Sequence, residues 1–293
     1  MIMSSNKIDA TDACAAIVEK WRLVALKALF EDMVVRNRVL SVSEEIGQMG
    51  DIVHVKINPT PTVGDITAGT GAYTSQEVAI TNVDLTINKW KYVAHDVVDI
   101  AEIQADLDLV QNFTQAFMPA LGNQIEQDLL ANYSSATTNP AIGDSLNGDA
   151  FGEGMILDSI LVLDNNLVPE KDRSFILNPA AIGQLRKDPR YTNANILGIP
   201  KAVQTTGFQV DLYGNPVYRT TNVATVTGSG ATAVKAGMYI HNNGLMVGIQ
   251  KNIKVEKFAR TAFSTPFAAS CLYGTAICRN NHNQVLYLKN KII

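Results

Sequence analysis

Residues 99–133 constrain this chain more than any other stretch. Apolar residues recur at Ile103, Leu107, Val110, Phe113, Phe117, Leu121, Ile125, Leu129 and Tyr133. Steps of three and four hold that stripe on one side of a helix for about nine turns. Acids gather near its start: Asp96, Asp99, Glu102, Asp106 and Asp108, with no base among them. The earliest of them suit the positive end of a helix dipole. Pro119 falls inside the pattern, deletes one backbone hydrogen bond and predicts a kink. At ~1.5 Å per residue the rod would be roughly 50 Å long. That exceeds the width of an ordinary domain. Separate pieces of chain must hang on the rod, or the rod must reach a partner.

A chain of 293 residues can bury a large core and hold two or more subdomains. Its residues are 46% hydrophobic and only 18% charged, which points to a surface covered by something other than water. The net charge of −4 excludes a nucleic-acid binder that works by its overall charge. The balance is uneven. Residues 251–293 hold seven Lys or Arg against one acid, Glu256, so the acids are concentrated earlier in the chain. Cys14, Cys271 and Cys278 are odd in number and lack metal-ligand spacing, and read as reduced thiols of a protein assembled in the cytosol. Residues 1–9 lack the apolar run of a secretory signal, and the apolar runs elsewhere are too short to span a membrane.

In chain order, residues 11–38 predict a first helix, with Cys14, Ile17, Val18, Trp21, Val24 and Ala28 on one stripe. It reads either as an ordinary packed helix or as an arm that crosses onto a neighbouring subunit. Residues 51–96 predict a long β-hairpin. Val53, Val55 and Ile57 alternate on the first limb; Val83, Leu85 and Ile87 alternate on the return limb, followed by Trp90 and Tyr92. The tip between them is rich in Pro, Thr and Gly and carries Asp65 as its one charge. An uncharged tip of this length is unusual in a compact domain and suits contact with a partner.

Beyond a polar link the pattern becomes mixed. Helices are expected at 154–166, with Ile156, Ile160, Leu163 and Leu167 inward, and at 180–187. Strands are expected at 173–177, 216–220, 234–241, 245–250, 252–258, 267–279 and 284–289. Asn242-Asn243-Gly244 is a hairpin-turn signature.

Catalytic constellations are hard to find. His54, His95, His241 and His282 are scattered, none with a second ligand at metal spacing. Gly69-Thr-Gly71 lacks the Lys-Ser/Thr of a phosphate loop. Ser174 and Ser264 sit in no nucleophile-elbow pattern. The carboxylates of 96–108 lack the central glycine of a calcium loop, and helix capping and solvation account for them. Glu44-Glu45 precedes Gly47 in a polar turn and reads as solvent-facing. The reading is of a protein that is not an enzyme, with no metal and no cofactor.

The order of pieces resembles the major capsid protein of tailed bacteriophages, the Hong Kong 97-type fold. Local wording agrees: Arg173-Ser-Phe-Ile-Leu-Asn-Pro179, Ile196-Leu-Gly-Ile-Pro200, Asp211-Leu-Tyr-Gly-Asn-Pro-Val-Tyr218, and Ala236-Gly-Met-Tyr-Ile240 with Gly244-Leu-Met-Val-Gly248. The resemblance implies an α+β chain in five parts. These are an N-terminal arm (1–50), an extended hairpin loop (51–96), the spine helix of a peripheral domain (97–145), a mixed α/β axial domain (146–248) and the return strands of the peripheral domain (249–293). It implies a structural protein whose hexamers and pentamers build an icosahedral shell around double-stranded DNA, in the host cytoplasm during assembly and in the virion afterwards. The DNA is held without sequence specificity, and a portal is a further partner. Some relatives crosslink a hairpin-tip lysine to a neighbour's asparagine. No lysine occurs between Lys56 and Lys89 here, so a non-crosslinked shell is expected. The chain begins almost at the arm, so a scaffold is expected to be a separate protein.

On that reading the arm and the tip are the overlapping elements, and Trp21, Phe30, Val63, Ile66 and Tyr73 are the expected contact anchors. Trp21 equally suits packing within its own subunit. The glycines of the tip would let identical subunits occupy non-identical environments. Pro119 would give either a static kink or a bend that changes on expansion. Lys251, Lys254, Lys257 and Arg260 would meet the acids of 96–108, Asp106 among them, in the same or a neighbouring subunit. A solvated strand face and a basic strip facing DNA stand beside that reading. The rival functions are an encapsulin-type nanocompartment, an enzyme with a novel α/β domain at 146–250, and a β-rich adhesin. The missing catalytic set counts against the enzyme, and the missing signal against the adhesin.

Overall fold

The computed structural model describes residues 33–43, 52–57, 61–66, 69, 71, 73, 75–77, 80–98, 109–136, 139–143, 149–188, 211–227, 233–258, 264–278 and 284–291. Its strands are β1 (Leu40–Ser41), β2 (Ile52–Ile57), β3 (Thr81–Thr86), β4 (Lys89–Val98), β5 (Arg173–Leu177), β6 (Asp211–Leu212), β7 (Asn215–Arg219), β8 (Thr225–Thr227), β9 (Val234–His241), β10 (Leu245–Lys257), β11 (Ser264–Ile277) and β12 (Val285–Lys291). Its helices are α1 (Leu109–Leu130), α2 (Glu153–Asn165) and α3 (Pro179–Lys187).

The apolar stripe of the spine folds as its spacing demands. Phe117, Leu121, Ile125 and Leu129 recur every fourth residue on α1 and are all buried. They lie on one face of a four-stranded sheet of order β1-β10-β11-β4, against Val247, Phe267, Ala269 and Tyr273. Burying each such side chain stabilises by about 1.5–3 kcal/mol. The helix continues through Pro119 and ends in a 3-10 turn, Ala131–Ser135. Its expected first part, 99–108, lies outside the described residues.

A six-stranded sheet of order β12-β9-β5-β7-β6, with β8 on β9, makes the second body. Strand β5 is buried along its whole length. Phe175 and Leu177 face the layer formed by α2 and α3, and Ile176 faces the side of Val35, Leu130 and Met238. A strand covered on both faces needs a continuous apolar run, which Phe175, Ile176 and Leu177 supply. Asn178 and Pro179 then end it and begin α3.

Five expectations need correction. The first helix does not reach Arg38. Residues 33–35 are not helical and Arg36–Arg38 is a single 3-10 turn, because the Val35 N–H donates to Glu126 Oε1 at 2.7 Å rather than to a preceding turn; residues 11–32 lie outside the described residues. The 51–96 stretch is not one hairpin. Strands β2 and β3 pair as a two-stranded ribbon, with Val53 opposite Leu85 and Val55 opposite Val83. The chain then leaves the ribbon and enters the four-stranded sheet as β4, paired with β11. That passage needs Gly274, where a Cβ would stand 2.3 Å from Thr86 O.

The Asn242-Asn243-Gly244 turn is present, closed by the Gly244 N–H donating to His241 O at 2.8 Å. Its two strands do not pair. β9 stays in the six-stranded sheet and β10 enters the four-stranded one, so the turn is the passage between the two bodies. The last strand, β12, pairs with β9 and not with the return strands of 249–277. Finally, Leu167 is not inward. Helix α2 ends at Asn165, and Val168 takes the buried place while Leu167 is 91% exposed.

Candidate functional site

The features that stand out on this molecule are surfaces. Among the described residues no three His, Cys, Asp or Glu converge where a metal could sit, and no helix is long and apolar enough to cross a membrane. Cys271 and Cys278 are buried free thiols; burial pushes the Cys271 thiol up.

The first surface is the outer face of the four-stranded sheet. On β4, Val93 packs toward α1, so Trp90 and Tyr92 point the other way, 71% and 74% exposed. Across the sheet, Tyr92 is level with Ser270 and then Lys254, and Ala94 is level with Ala268 and then Glu256. Aromatics border the face at one edge, small residues fill its middle and charges hold the far side. Lys251 Nζ donates to Ser270 Oγ at 3.1 Å. Lys251 and Lys254 each stand 3.9 Å from Glu256 Oε1. Among the described residues these two lysines therefore meet the acid of their own strand. Lys257 is level with Phe267. Asp106 and Arg260 lie outside the described residues.

The second surface is the ribbon. Val53, Val55, Val83 and Leu85 pack its inner face onto Val42 and Met246. Its outer face carries a cross-strand pair, His54 Nδ1 and Asp84 Oδ1 at 2.5 Å. At the tip, Val63 is fully exposed, Tyr73 81% and Ile66 64%. The Thr62 N–H donates to Gln76 Oε1 at 3.1 Å, tying the two sides of the tip together. Gly69 and Gly71 adopt φ of +101° and +57°, which residues with a Cβ rarely do. Of the expected anchors, Val63, Ile66 and Tyr73 are thus brought to one exposed tip. Trp21 and Phe30 lie outside the described residues.

The third surface was not foreseen. It is the outer side of α2, with Leu157, Leu161 and Leu167 exposed and Tyr213 beside them. Leu157, Asp164, Lys171 and Tyr213 line a cleft of about 430 Å³ there. Arg173 closes its floor, and its guanidinium is already spent: Nε donates to Pro169 O at 2.8 Å, one terminal nitrogen to Asp164 Oδ1 at 2.7 Å and the other to Val168 O. Burial works against the Arg173 charge, but the Tyr239 hydroxyl and the Asp164 carboxylate outweigh it and raise the guanidinium above its ordinary value. The arginine is a strut for the 164–170 loop, not an anion receptor.

Aromatics and leucines bared in groups mark contact surfaces. For Trp90 and Tyr92 a signal existed: within β4 they take the opposite parity from Val93, the residue that packs toward α1. For Leu167 no periodicity could help, since the apolar spacing runs on past the end of the helix.

Comparison with solved structures places this architecture among phage capsids. The chain has the fold of phage capsid proteins. A structure from Mycobacterium phage Che8 matches with a TM-score of 0.75 at 24% identity, over 93% of this chain and 96% of that one. The capsid of Cyanophage P-SCSP1u matches with a TM-score of 0.75 at 14% identity, over 95% and 94%. The capsid of a native GTA particle matches with a TM-score of 0.72 at 11% identity, over 98% and 100%. No family model and no curated relative matches the sequence.

Proposed function

We propose that this chain is the major capsid protein of a tailed phage, with the Hong Kong 97-type arrangement, and that it builds an icosahedral shell of hexamers and pentamers around double-stranded DNA. One observation carries the reading: the likeness to capsid chains covers more than nine-tenths of both partners. A shared subdomain would match part of each. The role is structural and non-enzymatic, and the chain's partners are its own copies, a separate scaffolding protein, a portal and the packaged DNA.

The parts keep their proposed roles: arm 1–50, extended loop 51–96, spine 97–145, axial domain 146–248 and return strands from 249. The bond between β12 and β9 supports assigning the last strand to the axial domain. The exposed tip residues Val63, Ile66 and Tyr73 support the loop as an overlapping element. With no lysine between Lys56 and Lys89, the shell is held without covalent crosslinks through the tip.

The test is sedimentation velocity with light scattering on the full chain, alone and co-expressed with a candidate scaffolding protein. Capsomers or shells, many times the 31.7 kDa of one chain, are expected. A monomer under both conditions contradicts the proposal.

A further inference from the structure

Three residues other than glycine hold a left-handed backbone among the described residues: Leu167 (φ +56°), Asp172 (φ +63°) and Tyr213 (φ +50°). Tyr213 lines the cleft beside α2, Leu167 follows the end of that helix, and Asp172 lies in sequence between Lys171 and Arg173, two further residues of the cleft lining. Two of them break the local rules in the same way.

Helix α2 stops in a two-bond terminator: the Leu167 N–H donates to Asp164 O at 2.9 Å and the Val168 N–H to Leu163 O at 3.1 Å. This motif puts its third-from-last helical residue against the residue after the left-handed one, here Leu163 against Val168, and both are buried. The left-handed place itself suits glycine or asparagine, because a Cβ there crowds the next carbonyl. Leucine occupies it, 91% exposed. The backbone disfavours that leucine, and its own subunit gives it almost no packing in return.

Tyr213 repeats the pattern. It leads the tight turn Tyr213-Gly214 between β6 and β7, where both residues have positive φ and Asn-Gly is the usual pair. Its ring is half exposed, and its hydroxyl donates to Glu153 Oε1 at 2.8 Å, which leans the turn toward the start of α2. Conflicts between local preference and sequence concentrate at functional positions.

We infer that the α2 edge, with Leu157, Leu161, Leu167 and Tyr213 at its centre, is a contact surface for a second copy of this chain. The inference rests on the shell-forming function proposed above. Charge favours a second copy as the occupant. Asp158 lies exposed on the α2 edge, and Arg186 and Lys187 lie exposed at the end of α3, in the same body. An acidic helix and a basic helix end on one chain let each copy offer its α2 edge to the α3 end of the next. Such head-to-tail contacts close into rings when the rotation from one copy to the next divides a full turn. Leu167 then trades stability of the single chain for adhesion between chains.

The experiment compares the full chain with Leu167→Gly and Tyr213→Asn, the residues that the backbone prefers. Thermal unfolding of unassembled chain reads stability, and sedimentation reads assembly. Both variants are expected to melt about 2 °C or more higher, while the concentration needed for capsomers rises at least about tenfold, as the loss of a buried leucine anchor from an interface predicts. As a second arm, Asp158→Lys and Lys187→Asp should each weaken assembly, and the double variant should recover it. Stabilised variants that assemble like the wild type overturn this contact; that includes the case where a separate protein covers the edge. A wild type that never assembles overturns both this contact and the proposed function, whereas a wild type that assembles beside an unaffected Leu167→Gly overturns the contact alone.

Discussion

The Val35 main-chain N–H donates to the Oε1 of Glu126 at 2.7 Å, across 91 residues of sequence. Glu126 is 1% exposed, and its second oxygen accepts a hydrogen bond from Asn222 Nδ2 at 2.9 Å. One buried carboxylate on α1 therefore fixes the chain just before β1 and the loop between β7 and β8. Replacing it with alanine leaves the buried Val35 N–H without an acceptor, while the half-buried Asn222 Nδ2 keeps its bond to Asn123 Oδ1; the loss of a buried donor's partner costs about 1–3 kcal/mol. Glu126→Ala is expected to lose about 1–3 kcal/mol in urea unfolding of unassembled chain. Glu126→Gln keeps one acceptor and should lose less. Equal losses for the two would show that the acceptor oxygens are not what matters.

Gly274 lies where the chain passes from the ribbon into the four-stranded sheet. A Cβ there would come 2.3 Å from Thr86 O and 3.2 Å from Ile87 Cα, both main-chain atoms. Backbone cannot swing aside as a side chain does. Gly274→Ala is expected to cost about 1–3 kcal/mol and to loosen the seam between β3 and β4. Limited proteolysis should then cut near Ile87-Asn88 faster than in the wild type. An unchanged cutting rate would place the seam's hold elsewhere.

Some of this organisation could be read from the sequence and some could not, for physical reasons. The stripe Phe117, Leu121, Ile125, Leu129 is local information, and it gave the helix and its buried face. Strand β5 was readable to the residue, because Asn178-Pro179 stops it. Partners were harder. Asn242-Asn243-Gly244 specifies a tight turn, but which strand β10 pairs with depends on the far-off residues of β11. Trp90 and Tyr92 misled as members of a hairpin limb, since they follow Val83, Leu85 and Ile87 closely while the strand that pairs with them, β11, lies far off in sequence. The exposure of Val63, Ile66 and Tyr73 was legible, because an uncharged, glycine-rich loop offers no core for them to join. The exposure of Leu167 was not, because it depends on where the helix stops.

Three buried phenols predict the behaviour in alkali. Burial pushes the Tyr239, Tyr273 and Tyr287 hydroxyls up, and Asp128 adds to the effect at Tyr273, whose hydroxyl donates to it at 2.7 Å. Tyr287 rises from 10.0 to about 12. Below pH 10 these phenols keep their protons whether the chain is folded or not, so their contribution to stability is fully present. Above it the unfolded chain releases protons that the folded chain still holds, so stability falls between about pH 10 and 12. Absorbance titration at 295 nm should show these tyrosines ionising late, together with unfolding. Early reversible ionisation of all the tyrosines would contradict their burial.

The basic strand β10 offers a test of charge pairing between subunits. Lys254 is exposed and, among the described residues, has only the long contact to Glu256, 3.9 Å. Lys254→Glu with Asp106→Lys is expected to assemble better than either single change if the two meet in the shell. A surface pair of this kind contributes about 0–1 kcal/mol, multiplied by the number of copies. Defects that simply add would remove the pairing and leave β10 as a solvated or DNA-facing strip.

Cryo-electron microscopy of particles formed by the full chain is the most direct measurement of all. The account predicts closed icosahedral shells in which every subunit shows α1 lying along the β1-β10-β11-β4 sheet, with the ribbon tip and the α2 edge covered by neighbouring copies. Particles without five-fold and six-fold rings, or shells in which the α2 edge and the ribbon tip both face solvent, would contradict it.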